Sequence, residues 1–222
     1  MNFKVAETFI SINGEGKLAG ELSVFVRFAG CNLSCAYCDT SWANSESVNY
    51  TTMSESEIFE YIKNTKIKNV TITGGEPLIQ ERIMCLLNLL ATDDSLSVEI
   101  QTNGSVDIRP FLNIFPNPPA FTLDYKTKSS EMNHLMALDN YNYLKPSDTV
   151  KFVVGDVDDL LQAKSIIENY DLTNKCNVHL SSIFGKIGWA QIVDFMKENN
   201  MRGVRLQPQL HKIIWDPNLR GV

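Results

Sequence analysis

A chain of 222 residues, 44% hydrophobic and 21% charged, is long enough for one substantial core and short for two, so a single domain over residues 1–222 is expected. A net charge of -6 offers no basic footprint for nucleic acid, and no apolar run reaches the ~18 residues of a membrane span or forms a signal-peptide core at the start. Five cysteines, an odd number with three clustered, suit a reducing cytoplasm better than a disulfide framework.

Residues 23–29 alternate as a strand, with Val24, Val26 and Phe28 on one face and Phe25, Arg27 and Ala29 on the other. Arg27 stands where a strand interior usually holds an apolar residue. It is either an edge-strand arginine reaching solvent or a guanidinium placed to grip a carboxylate with two parallel bonds. The next stretch, Gly30 to Thr40, gathers Cys31, Cys35 and Cys38 into a C-x3-C-x2-C run. Three thiolates so close form a ligand set for a soft metal centre. A structural zinc site wants four ligands, and no fourth Cys or His lies within about forty residues on either side. A cubic 4Fe-4S cluster on three cysteines leaves one iron open to an outside ligand.

Residues 41–51 read as a polar loop, and Thr52-Met53-Ser54-Glu55 as a capping box opening a helix striped by Ile58, Tyr61 and Ile62. A strand over Asn69–Thr73 runs into Gly74-Gly75-Glu76-Pro77. In isolation that is a turn before a helix, but paired glycines also let backbone approach a ligand, and a glutamate there can accept from an ammonium. Residues 78–92 carry Ile79, Ile83, Leu86, Leu87 and Leu90 at helical spacing, with Cys85 expected as a core thiol. From Ser97 to Gly104, Val98, Ile100 and Thr102 alternate with Glu99, Gln101 and Asn103. That polar face suggests a lined cavity; a wet edge strand is the alternative.

Five prolines break residues 105–147, where one strand is predicted, Ala120 to Asp124, ending in Asp124-Tyr125-Lys126. A strand over Thr149–Val154 leads through Asp156, a good N-cap, into a helix bearing Leu160, Leu161, Ile166 and Ile167. A strand over Asn177–Ser182, opened by a structural Cys176, and a helix over Trp189–Glu198 continue the alternation. The last stretch begins as a strand near Gly203. Its His211, lying between apolar residues, would by itself pass for a satisfied core histidine. Strand and helix alternating about six times predict an α/β fold with a parallel sheet, a partial (β/α)6-type barrel with its chemistry at the carboxyl ends of the strands.

The cysteine run with Tyr37 before its last member, followed by Gly74-Gly75-Glu76-Pro77, resembles the radical S-adenosylmethionine (SAM) superfamily. Ile12-Asn13-Gly14-Glu15-Gly16, Cys38-Asp39-Thr40 and the run from Arg205 to Trp215 narrow the resemblance to the 7-carboxy-7-deazaguanine synthase family. A glycyl-radical activase shares the cysteine spacing, but Arg27, the C-terminal run and the lack of further ferredoxin-like cysteines point away from it.

The resemblance implies a radical SAM barrel and ring contraction of 6-carboxy-5,6,7,8-tetrahydropterin to 7-carboxy-7-deazaguanine with loss of ammonia. This belongs to queuosine-type 7-deazapurine biosynthesis, so the enzyme acts on a small molecule rather than on tRNA. It places a 4Fe-4S cluster on Cys31, Cys35 and Cys38. SAM, held by Tyr37, Gly75, Glu76, Asp124, Tyr125 and Lys126, supplies the radical, so no side chain is expected to be catalytic. The family commonly has Ser-Pro-Lys where this chain has Asp124-Tyr125-Lys126; only the lysine matches, which leaves backbone contacts but not the serine hydroxyl. Ile12, Asn13, Gly14, Glu15, Arg27, Thr73, His211 and Val222 are implied at the substrate, the C-terminus folding over it, and Thr40 at Mg2+. A flavodoxin- or ferredoxin-type reductant and a homodimer are implied as partners, with no nucleic acid and no membrane.

Overall fold

A computed structural model describes residues 2–45 and 47–222. Nine strands form one sheet: β1 (Phe3–Ile12), β2 (Leu22–Phe28), β3 (Thr51–Met53), β4 (Asn69–Gly74), β5 (Ser97–Thr102), β6 (Ala120–Lys126), β7 (Thr149–Val154), β8 (Asn177–Ser182) and β9 (Val204–Leu206). The order is β3-β1-β2-β4-β5-β6-β7-β8-β9, parallel from β2 to β9. β1 runs antiparallel to both β2 and β3, an addition to the expected parallel sheet. Its alternation is broken by a register shift between Val5 and Glu7, and β3 is three residues long, so neither carried a clean period.

Paired positions in a parallel sheet share a face, so the register sorts the side chains into two sets. The outer set is apolar: Val24, Val26 and Phe28, then Val70 and Ile72, Ile100, Phe121 and Leu123, Val150 and Phe152, Val178 and Leu180, all buried. Helices α1 (Glu55–Thr65), α2 (Ile83–Ala91), α3 (Val157–Asn169), the short α4 (Leu172–Lys175) and α5 (Trp189–Glu198) join them in one core through Ile58, Ile62, Leu86, Leu90, Leu160, Leu172 and Ile192. Each such side chain contributes roughly 1.5–3 kcal/mol by leaving water. The inner set is polar and carries the site. A final short helix, α6 (Leu210–Ile214), follows β9.

Several local expectations shift. The capping box of α1 is Ser54 with Glu57, not Thr52 with Glu55, because Thr51–Met53 is spent on strand pairing with β1. Pro77–Ile79 makes a 3-10 turn, so α2 starts only at Ile83. On that helix Ile83, Leu86, Leu87 and Leu90 form the buried stripe. Cys85 falls on the opposite side and is exposed, so it is not a core thiol. Leu161 is likewise exposed beside the buried Leu160 and Ile167. Asp156 caps α3 as expected, accepting from the Asp159 amide at 2.9 Å, and Cys176 packs partly buried against the core. Between β5 and β7 the crossovers hold 3-10 turns rather than α-helices, so the alternation is helical in four of its six crossovers. Among the described residues no helix is long and apolar enough to cross a membrane.

Candidate active site

The inner face carries Ser23 and Arg27 on β2, Thr71 and Thr73 on β4, Glu99 on β5, Thr122, Asp124 and Lys126 on β6, Lys151 on β7, and His179 and Ser181 on β8, side by side in register. β5 is internal, so the polar face read from its sequence lines an interior, with Glu99 5% exposed, rather than a wet edge. β2 is internal too, which removes the edge-arginine reading of Arg27. Its Nε donates to Glu7 Oε1 at 2.7 Å and its guanidinium lies 6.0 Å from the Phe9 ring. Among the described residues the terminal nitrogens take no other hydrogen bond, so they stay available to an acceptor. Thr73 stands directly beside Arg27. Two surface clefts, of about 420 Å³ beside α3 and about 620 Å³ at the amino ends of β2 and β4, touch none of these residues.

The cysteine loop arches over the carboxyl ends of the strands. The Ala36 amide donates to Ser130 O at 3.1 Å, Asn32 Nδ2 to Ser105 Oγ at 2.8 Å, and the Gly30 amide to Ala43 O at 3.0 Å. Cys31 Sγ accepts from the Leu33 amide at 3.4 Å and Asn103 Nδ2 at 3.5 Å, the kind of contact that tunes a ligand sulfur. Burial pushes Cys35 up to about 11, with Lys126 opposing, and raises Cys31, so a metal must displace their protons. All five cysteines are free thiols. Among the described residues no three Cys, His, Asp or Glu side chains already stand as a metal-binding group. The loop offers the right donors for a soft cluster.

The Gly74-Gly75-Glu76-Pro77 turn is stitched to that loop. The Gly75 amide donates to Phe28 O at 3.0 Å and the Glu76 amide to Gly30 O at 2.9 Å. A Cβ on Gly75 would lie 2.0 Å from Gly30 O, so only glycine fits. Glu76 is fully buried. Its Oε1 accepts from the Leu78 amide at 2.9 Å and Thr102 Oγ1 at 2.8 Å, and its Oε2 from the Asn103 amide at 2.7 Å. Burial raises its pKa while these donors oppose the rise. Three of roughly four acceptor positions are thus filled internally, and the remaining one is on Oε2.

Tyr37 lies half-buried, its hydroxyl 3.5 Å from Val153 O and its ring 5.9 Å from Lys126 Nζ. Tyr125 points to the outer core, 5.2 Å from Phe152, with its hydroxyl accepting from Gln162; only its backbone can serve the inner face. Lys126 pairs with Asp124 Oδ2 at 2.8 Å. Burial raises Asp124, but Lys126 and Lys151 hold the carboxyl below its ordinary range. The Thr40 hydroxyl lies 3.7 Å from Cys38 Sγ and does not cap the turn that follows it.

After β1 the chain crosses the inner face. Asn13 Oδ1 accepts from Thr71 Oγ1 at 2.9 Å, Glu15 accepts from Ser181 Oγ and pairs with Lys151 Nζ, each at 3.0 Å, and Gly16 is gripped twice by Gln207, amide to Oε1 at 2.7 Å and carbonyl to Nε2 at 2.9 Å. The Leu210 amide donates to Gly14 O at 3.0 Å, and His211 Nδ1 sits where a Gly14 side chain would begin. Burial lowers the His211 pKa. Residues 12–16 therefore plug the opening of the incomplete barrel, and the segment after β9 clasps them. The tail returns to the cysteine loop: Lys212 pairs with Asp39 at 3.1 Å and Arg220 stacks 4.1 Å from the Trp42 ring; Val222 is half-buried.

Lys151, Gln207 and Ser181 received no role from the sequence, and Asn103 only a place on a cavity-lining face. For Lys151 a signal existed: it is the lone charge on an apolar strand, as Arg27 is.

Residues 25–197 match the Radical SAM superfamily. The chain is 56% identical over 222 residues to a 7-carboxy-7-deazaguanine synthase of Clostridium acetobutylicum, covering 100% of each. It is 37% identical to one from Methanospirillum hungatei, over 96% of this chain and 86% of that one. QueE from Escherichia coli shares the fold, with a TM-score of 0.73 over 94% of each chain at 22% identity. Sequence identity running from end to end, on a fold that sets a three-cysteine loop beside a glycine turn, means that this chain belongs to the 7-carboxy-7-deazaguanine synthase family of radical SAM enzymes.

Proposed function

We propose that the inner face binds 6-carboxy-5,6,7,8-tetrahydropterin and that the enzyme, a radical SAM lyase of queuosine-type 7-deazapurine biosynthesis, contracts it to 7-carboxy-7-deazaguanine with release of ammonia. The observation that carries this reading is Arg27: a half-buried guanidinium with free terminal nitrogens, at the carboxyl end of β2, three residues before the cysteine loop. Cys31, Cys35 and Cys38 hold the 4Fe-4S cluster. With SAM bound beside it, that centre would supply one-electron, hydrogen-abstracting radical chemistry to the pterin. The protein's own share is alignment and exclusion of water.

On this reading Arg27 grips the substrate carboxylate and Thr73 donates beside it. Ile12, Asn13, Gly14 and Glu15 present backbone and side-chain partners from below, and His211, kept neutral by burial, and Val222 close from the C-terminal side. Gly75 backbone, Glu76, Tyr37, Asp124, the Tyr125 backbone and Lys126 receive SAM at the strand ends. Thr40, its hydroxyl unspent on capping, ligates Mg2+, a hard ion suited to hydroxyl oxygen and substrate oxygens. The continuous sheet supports one core domain over residues 1–222, the exposed Ile213, Ile214 and Leu219 supply apolar surface for a homodimer, and the free thiols suit the cytoplasm. An electron comes from a flavodoxin- or ferredoxin-type donor.

The test is anaerobic reconstitution with iron and sulfide, then incubation with SAM, a reductant and the tetrahydropterin, following product by mass. Formation of 7-carboxy-7-deazaguanine is expected. A protein that takes up no iron, or a cluster-loaded one that leaves the pterin unchanged, overturns the reading.

A further inference from the structure

Lys151 holds the two halves of the inner face together. Its Nζ lies 3.0 Å from Glu15 Oε2 and 3.4 Å from Asp124 Oδ2, and that same Asp124 oxygen takes Lys126 Nζ at 2.8 Å. Glu15 belongs to the plug after β1, fixed on its other oxygen by Ser181, whereas Asp124 opens the segment at the end of β6. Asp124 Oδ1 is buried and has no partner among the described residues. Lys151 itself is 13% exposed in its side chain, so its charge is poorly screened and acts on both carboxylates.

One ammonium shared between two carboxylates cannot be drawn to one without loosening its hold on the other. Donors from a ligand at Asp124 Oδ1 share that carboxylate's charge, weaken its pull on Lys151 and leave the ammonium to Glu15, which fixes the plug. Resting on the assignment of Asp124 to SAM and of the plug to the pterin, we infer that Lys151 is a positioning residue that couples the two subsites, so that each ligand tightens the other. Coupling of binding free energies is reciprocal, so the factor must be the same from either side.

The experiment uses the cluster-loaded enzyme without reductant, so that both ligands bind and neither reacts. Titration calorimetry gives the dissociation constant of 6-carboxy-5,6,7,8-tetrahydropterin with and without saturating SAM, and that of SAM with and without the pterin. In the parent protein each ligand should tighten the other by about fivefold or more. Lys151→Met should abolish that dependence, and Lys151→Arg, whose fork can span both carboxylates, should keep part of it. Since Lys151→Met leaves Glu15 without its lysine while Asp124 keeps Lys126, Glu15→Gln/Lys151→Met removes the stranded charge and gives the same reading if the single variant fails to fold. A parent whose pterin affinity ignores SAM, or a methionine variant that keeps the full factor, overturns the coupling. A parent that binds SAM but not the pterin removes the functional reading and the inference with it.

Discussion

Arg27 and Thr40 test the chemistry one side chain at a time. Arg27 spends Nε on Glu7 and keeps its terminal nitrogens for a ligand, so Arg27→Lys leaves one ammonium to serve both partners. The dissociation constant for the pterin should rise by tenfold or more, the equivalent of about 1.4 kcal/mol, while SAM binding changes little; equal weakening of both ligands would show that Arg27 serves the fold. Thr40→Val should leave iron content and SAM affinity intact and remove the stimulation of turnover by magnesium. Loss of the cluster in that variant would instead tie the hydroxyl to Cys38 Sγ, 3.7 Å away. As candidates both came from the sequence, Arg27 as a charge on an apolar strand and Thr40 only through the family's motif. Cys85 was misread because its residue type, within an apolar helix, outweighed its phase: with Ile83, Leu86, Leu87 and Leu90 turned inward, position 85 falls on the opposite side.

At the scale of elements, the three-cysteine loop and the Gly74-Gly75-Glu76-Pro77 turn were legible because each is local in sequence. Their mutual contact was not, since it runs through backbone atoms whose identity the sequence does not encode. That contact makes Gly75 the most constrained position in the turn. Gly75→Ala drives a Cβ to 2.0 Å from Gly30 O, and backbone must move to receive it. A loss of about 1–3 kcal/mol in chemical denaturation is expected, with weaker iron retention after reconstitution. Gly185→Ala is the comparison: its φ of +76 is strained but no atom lies within 4 Å of the new Cβ, so a smaller cost without loss of iron should follow. If both variants retain iron equally, the stitch between turn and loop does not support the cluster. Missed elements follow the same logic. β1 was hidden by its register shift, and β3 by being short and polar.

Across the whole molecule, a sheet with one apolar and one polar face was foreseeable from alternation, but the filling of the open barrel by residues 12–16 and their clasp by Gln207 join positions 191 apart in sequence. Nothing local marks such a pairing. The consequence of the arrangement is that carboxyl groups are buried on a sheet face and their titration is written into global stability. Glu99 is 5% exposed, with Oε1 bonded to Thr122 Oγ1 and Oε2 unpartnered among the described residues; burial raises its pKa, against the pull of Thr122 and Lys151 and reinforced by Glu15. An acid raised in the folded state costs nothing below its unfolded value of about 4.3, where both states hold the proton. Above that, the unfolded chain ionises freely and the folded one does not, so stability falls with pH until the folded pKa is passed, by at most about 1.4 kcal/mol per unit. Asp124, held low by Lys126 and Lys151, has the opposite sign, gaining stability as pH rises to about 4 and then levelling off. Glu99→Gln keeps an acceptor for Thr122 and removes only the first of these slopes. The thermal midpoint of the variant minus that of the parent, both without added ligands, should therefore climb from pH 4.5 toward neutrality and then flatten. A difference independent of pH across that range would mean that Glu99 ionises in the folded protein as easily as in the unfolded chain, and that the polar face is wetter than its burial implies.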